Sequence, residues 1–486
     1  MKKEILRMEH IVCSENGSPV LNHFSMQIFE GEIYGLLCLE QHGITKMIEL
    51  ICRNQPIQYG QVFFEEKLVN HFENNSRSKN RVTLIGNKSC LIDSLSLADN
   101  LFVIRSGFRR HIIPEKAIRI QTRKLLNEFQ IRVSPLSLAE ELTTYERLVV
   151  ELLCAMIAGN RLIILWQVSD LLSSEELLRF HELIRKLAQK GYTFLYIYNH
   201  HEVLRAVCDR ISVFENGHIE KVFFESDGIE EKIRDVFARY SYDKLLQLKP
   251  DAQKSFPMSP VLELKHICTE NMKDFSLSVR PGENVLILDQ SNTILWELSS
   301  IFSGIKRDYA GKIEPENLIG SYHIAVIPRD PTSSLLFPDL SYLDNLCFPL
   351  SEKVPFFWQK QSLRKSILKE FRPELGDLLD QPQLYDLHSR DLYQLIYYRY
   401  LIVKPRLIIC MQPLSGVDMY IRTYILEMIT KLCKEGIAVL TLNTELYDTL
   451  YTADRIIQVE NGRIINEFLR DEFEKLRTIN KGLYPD

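Results

Sequence analysis

The sequence predicts an α/β fold that is built twice, each time around a mainly parallel sheet with an antiparallel edge. Two observations lead to this prediction. Short stretches recur at a fixed spacing along the chain, and the segments between them alternate apolar runs of strand length with amphipathic helical patterns. At 486 residues, with 45% hydrophobic and 25% charged residues, the composition is that of a globular chain of two or three domains.

The repeat is defined by matching stretches that keep one offset. The sequence Arg-Leu-Ile-Ile at 161–164 recurs at 406–409, so the two positions differ by 245. The same offset relates three further pairs: Asp99-Asn100 with Asp344-Asn345, Asp209-Arg210 with Asp454-Arg455, and Asn216-Gly217 with Asn461-Gly462. We therefore predict a first domain over 1–245, a proline-containing linker over 246–260 and a second domain over 261–486.

The elements of the first repeat follow in order along the chain. An apolar run predicts a strand over 32–39, and the segment 46–53 is a plausible following helix. Ser173 and Glu176 form a capping-box pattern that opens a helix with a regular apolar face. A buried strand is predicted over 193–198, and a hairpin turned at Asn216-Gly217 is predicted to form the antiparallel edge.

Charge and cysteine usage exclude several classes of function. The formal net charge of −5 gives no overall attraction to nucleic acid, so we expect no nucleic-acid partner. The ten cysteines include no C-x-x-C spacing, so no metal site is predicted and reduced thiols are expected. The charged N-terminal segment is unlike a signal peptide, and no apolar run approaches the roughly 18 residues of a membrane span. We expect a cytoplasmic protein.

The order of these landmarks resembles the ATP-binding cassette family. The resemblance rests on Gly-Glu before the first buried strand, the turn at 38–45, the segment Leu-Ser-Leu-Ala-Asp-Asn-Leu at 95–101, and the closing Asp-Arg-Ile and Glu-Asn-Gly. The tandem arrangement is similar to the fused subunit of ribose- and galactose-type sugar importers. This resemblance implies two P-loop NTPase-like cassettes, each with a helical subdomain, the cofactors ATP and magnesium, and a membrane permease partner at the inner face of the cell membrane.

The phosphate-binding loop of that family, G-x-x-x-x-G-K-[S/T], is only partly matched. In the first repeat the loop is at 38–45, where Gly43 and the hydroxyl of Thr45 remain and Ile44 takes the lysine position. Lys46 is two residues further on, which on a helix is about 200° around, so we expect it to point away from the loop. In the second repeat, 289–296 has neither glycine nor lysine.

The resemblance also implies acidic residues at the end of a buried strand, and these are replaced. Gln167 and Gln412 take the position of the glutamate that polarises the attacking water, and a glutamine amide cannot accept the proton of that water. The histidine-switch position holds Asn199 or, with a shift of one residue, His200. The glutamine-loop position holds Asn87. We therefore expect weak ATP and magnesium binding, or none, and no ordinary hydrolysis.

The family signature Leu-Ser-x-Gly-Gln is matched by 142–146 and 387–391, with Tyr145 and Arg390 at a glycine position. Arg390 could still meet a phosphate, and Asp418 is expected to order the seam between cassettes. Trp166 and Trp296 are expected to fill space that nucleotide would otherwise take.

Three hypotheses for the function remain open. In the first hypothesis, the chain is a non-hydrolysing docking or regulatory module for a membrane permease or a regulatory protein. Alternatively, it is a working sugar-importer ATPase that uses Gly43, Thr45, Gln167 and Arg390 at one composite site. In the third hypothesis it is a cytosolic switch that senses a non-nucleotide ligand in the cleft.

Overall fold

The computed structural model describes residues 3–15, 18–40, 42–71, 80–86, 89–103, 114–224, 256–290, 292–306, 308–315, 323–350, 361–385, 387–444, 446 and 448–473. The chain divides into two compact units, one up to residue 236 and the other from residue 237 onward, apart from the last few residues. Most of the predicted linker, 246–255, lies outside the described residues.

The first unit contains ten described strands and five described helices. The strands are β1 (Glu4–Glu15), β2 (Ser18–Phe29), β3 (Ile33–Cys38), β4 (Tyr59–Phe64), β5 (Lys67–His71), β6 (Val82–Ile85), β7 (Leu162–Trp166), β8 (Thr193–Tyr198), β9 (Arg210–Glu215) and β10 (His218–Phe224). The helices are α1 (Ile44–Cys52), α2 (Glu115–Glu128), α3 (Thr144–Ile157), α4 (Ser174–Gln189) and α5 (His201–Arg205).

The central sheet of the first unit has six strands in the order β10-β9-β3-β8-β7-β6. Neighbouring strands from β9 to β6 pair in parallel, and β10 pairs antiparallel with β9 at the edge. The prediction of a mainly parallel sheet with an antiparallel edge is confirmed. A second, antiparallel sheet with the order β2-β1-β4-β5 was not predicted from the sequence.

The second unit contains nine described strands and six described helices. The strands are β11 (Leu262–Cys268), β12 (Phe275–Val279), β13 (Asn284–Asp289), β14 (Ala310–Glu314), β15 (Ile324–Ile327), β16 (Leu407–Met411), β17 (Ala438–Asn443), β18 (Arg455–Glu460) and β19 (Arg463–Leu469). The helices are α6 (Leu295–Phe302), α7 (Pro331–Ser334), α8 (Tyr342–Cys347), α9 (Gln361–Leu375), α10 (Ser389–Val403) and α11 (Met419–Lys434).

The central sheet of the second unit repeats the order of the first. Its strands run β19-β18-β13-β17-β16-β15, with parallel pairing throughout except for the antiparallel edge strand β19. Each central sheet packs against an antiparallel sheet and the helix that follows its first parallel strand, and a further cluster of apolar side chains holds the helical part of each unit. The predicted two-cassette α/β architecture is confirmed.

The recurring Glu and Arg residues form the same contact in both units. In the first unit, Glu32 accepts the Phe29 N–H at 2.9 Å and its carboxylate lies 2.5 Å from Arg210 Nε. In the second, Glu283 accepts the N–H of the residue three positions earlier at 2.8 Å and lies 2.9 Å from Arg455 Nε. All four side chains are largely buried, so each pair ties the start of one central strand to its neighbour.

The recurring asparagines, Asn100 and Asn345, are buried and hold the preceding turn by hydrogen bonds to its backbone. Asn100 accepts the Ile92 N–H at 2.9 Å and donates from Nδ2 to three backbone carbonyls of the same turn. Asn345 does the same with the Phe337 N–H at 2.9 Å and three carbonyls. In the second unit only, the guanidinium of buried Arg399 also donates to the Asn345 Oδ1 at 2.8 Å. The matched sequence pairs therefore have matched structural roles.

The elements predicted for the first repeat are confirmed with small shifts at their ends. The strand predicted over 193–198 is β8, and the predicted hairpin is β9 and β10, with Asn216 at φ 47° and Gly217 at φ 74° in its turn. Two residues with positive φ are what a tight type I′ hairpin requires. Ser173 and Glu176 form both hydrogen bonds of the capping box. The Ser173 side chain accepts the Glu176 N–H, and the Glu176 carboxylate accepts the Ser173 N–H at 3.0 Å.

We predict that Asn345→Ala destabilises its unit more than Asn100→Ala destabilises the other. Each change leaves buried backbone groups without a partner, at a cost of about 1–3 kcal/mol. Asn345→Ala additionally removes an acceptor from the buried Arg399. Urea unfolding of the intact protein measures both effects. Asn127→Ala, an exposed asparagine on α2, is the control and should change stability by less than about 0.5 kcal/mol. Equal losses in the two variants would contradict the role given to Arg399.

Buried His181 predicts a loss of stability in acid. Burial, together with the positive charge of Arg185, lowers the pKa of His181 from 6.5 to about 3. Because the folded state keeps this ring neutral while the unfolded state takes up a proton, stability falls as the pH drops below about 6.5 towards about 3. His181→Gln should flatten the dependence of unfolding free energy on pH over this range, as measured by urea titration. His23→Gln, an exposed histidine, should leave it unchanged. Identical pH profiles for wild type and His181→Gln would contradict this prediction.

Candidate functional site

The loop between β3 and α1 keeps the glycine turn that the sequence predicts. Gly43 directly precedes α1 with φ 90° and ψ −19°. A Cβ atom built at this position would lie 2.5 Å from the carbonyl oxygen of Val20. Because this conformation is left-handed and the space is closed, only glycine fits here without movement of the backbone. The first repeat therefore has a left-handed glycine turn directly before α1.

The cation of such a loop is absent from its expected position. Ile44, at the lysine position, is 1% exposed and belongs to the core beneath the central sheet. The Lys46 Nζ donates to Gln55 Oε1 at 3.0 Å and lies 3.8 Å from Glu49 Oε2. Gln55 lies beyond the C-terminal end of α1, so these two contacts draw the Lys46 side chain along the helix. Thr45 is exposed at the first turn of α1.

In the second repeat, the loop between β13 and α6 is organised by its own carboxylate. Asp289 is fully buried and its Oδ2 accepts the Ile294 N–H at 2.7 Å, immediately before α6. The main-chain carbonyl of Asp289 accepts the Asn292 N–H at 3.0 Å, and Asn292 takes a positive φ of 52°. The side chain of Asp289 thus supplies the negative charge that the start of a helix attracts.

Both glutamines that follow the buried strands β7 and β16 adopt the left-handed conformation. Gln167 has φ 56° and Gln412 has φ 42°. The N–H of each donates to the adjacent parallel strand, to Ile197 O at 3.1 Å and to Leu442 O at 2.8 Å. The Gln412 Nε2 also donates to Thr444 Oγ1 at 3.2 Å. These amides can hold polar groups at the carboxyl end of the sheet, but they are not bases.

The residues at the predicted switch position are buried in the first unit. Asn199 is 6% and His200 is 8% exposed, just after β8. The His200 ring lies 5.3 Å from the Tyr198 ring, centroid to centroid, and the Tyr198 hydroxyl donates to Asp170. The structure therefore places His200 against an aromatic ring. Asn87 lies outside the described residues.

In each repeat, the residue at the glycine position of the family signature forms a cation–π pair. The arginine and the tyrosine of this pair have exchanged positions between the two repeats. In the first repeat, the Arg179 guanidinium lies 5.1 Å from the centroid of the Tyr145 ring. In the second, the Arg390 guanidinium lies 5.6 Å from the centroid of the Tyr424 ring. Positions 145 and 390, like positions 179 and 424, differ by 245, so arginine and tyrosine have changed places. Sequence analysis singled out Tyr145 and Arg390 but did not find their partners on the next helix.

Asp418 has a local role at the start of α11. Its carboxylate accepts the Ile421 N–H at 2.9 Å, so it is the N-cap of that helix. The role at a seam between cassettes that the sequence suggested for Asp418 stays a prediction.

The two tryptophans differ in their surroundings. Trp166 is half-buried and packs against the core of the first unit, and the expectation that it fills space left by a nucleotide stays a prediction. Trp296 is 71% exposed, so the prediction that it fills a vacated space is wrong. The exposure of Trp296 is not evident from the sequence, because Trp296 follows the apolar pair Ile294-Leu295, which is buried.

The described part of the chain contains no group of three histidine, cysteine or acidic side chains arranged to hold a metal ion. Its helices include none with the length and apolarity needed to cross a bilayer.

We predict that the exchanged cation–π pairs can be interconverted. Arg390→Ala and Tyr424→Ala each remove one partner, and a double-mutant cycle should give a coupling of about 0.5–1 kcal/mol. The swapped variant Arg390→Tyr with Tyr424→Arg recreates the arrangement of the first repeat and should recover most of the lost stability in urea unfolding. The corresponding swap of Tyr145 and Arg179 is the matched control. Additive single changes, with no recovery in either swap, would contradict the exchange.

No family model matches the chain. The ribose import ATP-binding protein RbsA of Caldanaerobacter subterraneus subsp. tengcongensis is 22% identical over 99% of both chains. RbsA of Halalkalibacterium halodurans is 23% identical over 97% of both chains. A putative ribose/galactose/methyl galactoside import ATP-binding protein of Pseudomonas savastanoi is 23% identical over 96% of this chain and 91% of its own length.

Among solved structures, a nucleotide-free ATP-binding cassette from an ABC transporter is 19% identical and covers 48% of this chain and 95% of its own length, with a TM-score of 0.41. The sequence similarity extends over both repeats. Over almost its whole length the chain is therefore similar to ribose import ATP-binding proteins, and its two units share one sheet order.

Proposed function

We propose that this chain is an ATP-binding-cassette subunit of the sugar-importer type that does not hydrolyse ATP and acts as a docking or regulatory module. The relatives described above are named as ATP-binding proteins for ribose or galactoside import, which supports the importer type. Its partner is a membrane permease or a regulatory protein, and it works in the cytoplasm at the inner face of the cell membrane. The observation that carries the non-hydrolysing part of the proposal is the contact between Asp289 and the Ile294 N–H.

The donor set of the second repeat does not fit a magnesium triphosphate. A phosphate-binding loop presents backbone N–H groups and a lysine to phosphate oxygens. Here the Ile294 N–H is bonded to a carboxylate at 2.7 Å, and a phosphate in its place would meet the negative charge of Asp289 at close range. Leu295, at the lysine position, is 2% exposed and packs in the core. Both the charge and the shape of this loop therefore oppose a nucleotide.

The first repeat supplies a glycine turn but not the charges. Residues 38–45 contain no lysine or arginine, and Glu40 adds a negative charge to the loop. Trp166 is the last residue of the buried strand β7 and Gln167 follows it, at the two positions where a magnesium-ordering aspartate and a catalytic glutamate would be needed. Loss of one such group typically lowers the rate by about 10²- to 10³-fold, and although these losses are not additive, several together make turnover very slow.

A working ATPase remains the alternative, and one observation favours it. Gly43 keeps the left-handed turn, and the hydroxyl of Thr45 is exposed beside it. Against this alternative, the guanidinium of Arg390 lies over the ring of Tyr424 within its own unit. A hydrolytic site would need Arg390 to leave this contact to reach a phosphate.

The proposal predicts that the purified full-length protein neither binds nor hydrolyses Mg·ATP. Titration calorimetry with Mg·ATP should give no saturable heat at micromolar to millimolar ATP, and phosphate release should stay at the background rate. Thr45→Val, which removes the hydroxyl that would contact magnesium, should behave identically to wild type. Micromolar binding with turnover, both reduced in Thr45→Val, would overturn the proposal in favour of the ATPase.

A further inference from the structure

A pocket of about 320 Å³ opens at the carboxyl end of the central sheet in the second unit. It lies where the strands β13, β15, β16 and β17 end, next to the start of α6. Open α/β sheets bind small molecules at this edge, and known ligand pockets have volumes from about 300 Å³ upward. The pocket lies entirely within residues 292–442, so it belongs to one unit.

The walls of this pocket are mainly carbon. Its apolar lining comes from the side chains of Leu295, Trp296, Val326, Pro328, Leu335 and Met411. The indole of Trp296 is 71% exposed although it borders the pocket, and exposure of so large an aromatic surface is unfavourable in water. An aromatic ring stacked on this indole would bury one face of each ring. Aromatic pairs add about 0.5–1.5 kcal/mol to the free energy that the buried area itself contributes.

The polar groups of the pocket favour an anion. Arg329 is the one charged side chain among the described residues that line it. The Arg329 Nε donates to Ser415 Oγ at 2.9 Å, which orients the guanidinium plane. Gln412, also in the lining, is held by its bond to Thr444. An oriented guanidinium matches the two oxygens of a carboxylate.

We propose that this pocket binds a small aromatic carboxylate, with its ring against Trp296 and its carboxylate at Arg329. A triphosphate is a poor occupant, because the single guanidinium of Arg329 in a mainly apolar pocket does not balance its several charges, and Asp289 already accepts the loop N–H. This inference rests on the proposed function for one premise, which is that the second repeat binds no nucleotide. It gives the second cassette a ligand of its own, through which a metabolite could control the docking module.

Titration calorimetry of the intact protein with benzoate, 2-naphthoate and indole-3-acetate tests this proposal. At least one carboxylate should bind once per chain, and the neutral analogue 2-naphthol should bind about tenfold more weakly or not at all. Arg329→Gln and Trp296→Ser should each weaken binding by about tenfold or more, or a difference of roughly 1.4 kcal/mol. The matched controls are Arg463→Gln, an exposed arginine on β19, and Tyr59→Ser, an exposed aromatic on β4. Both controls should bind as the wild type does.

Three results would overturn the proposal: no saturable binding of any of the three carboxylates, equal affinity for 2-naphthol, or affinity that is unchanged in both pocket variants. Competition with Mg·ATP separates this proposal from the one on which it rests. Absence of carboxylate binding together with absence of ATP binding overturns the pocket alone. Displacement of a bound carboxylate by Mg·ATP contradicts the nucleotide-free second repeat, and it therefore counts against the proposed function.

Discussion

In each repeat, the backbone N–H groups at the start of the helix that follows the first parallel strand need a partner, and the nature of that partner decides what the chain can bind. In the second repeat the partner is the chain itself, because Asp289 accepts the Ile294 N–H from a fully buried position. A buried carboxylate is stable only when it is hydrogen-bonded, so Asp289 and the loop depend on each other. In the function that we propose, this contact uses the N–H group that would otherwise be available to a phosphate.

Around these loops, the contacts that hold the cassette together are kept in both repeats. The Glu32–Arg210 and Glu283–Arg455 pairs each join the equivalent two strands of their unit. Asn100 and Asn345 each hydrogen-bond to the backbone of the equivalent turn. These contacts stabilise the fold without regard to what the cleft contains. Because these contacts do not depend on a nucleotide, the two units can keep their fold without one, which is the physical basis of the docking role that we propose.

The sequence predicted those parts of the fold that local patterns control. The strand Thr193–Tyr198 and the turn at Asn216-Gly217 were predicted because a buried strand and a tight turn each leave a strong local pattern. The antiparallel sheet that includes β1 and β2 was missed. Its two longest strands pair with several shifts of register, and such irregular pairing obscures the alternation of apolar and polar residues.

The candidate site was harder to predict because its contacts join residues that are distant in sequence or that have unexpected roles. The loss of lysine and acidic residues could be read directly from the chain. The bond from Ile294 to Asp289 could have been suspected, since an acidic residue at the end of a buried strand and just before a helix is well placed to cap it. The exchange of arginine and tyrosine between positions 390 and 424 needed the packing of two helices.

The most direct test of the central claim is a crystal structure of the full-length protein grown with magnesium and a non-hydrolysable ATP analogue at millimolar concentration. Our account predicts that Asp289 remains hydrogen-bonded to the Ile294 N–H and that no triphosphate lies on the second loop. Phosphate oxygens at the Ile294 N–H, with the carboxylate turned away and a lysine or arginine against the terminal phosphate, would contradict it.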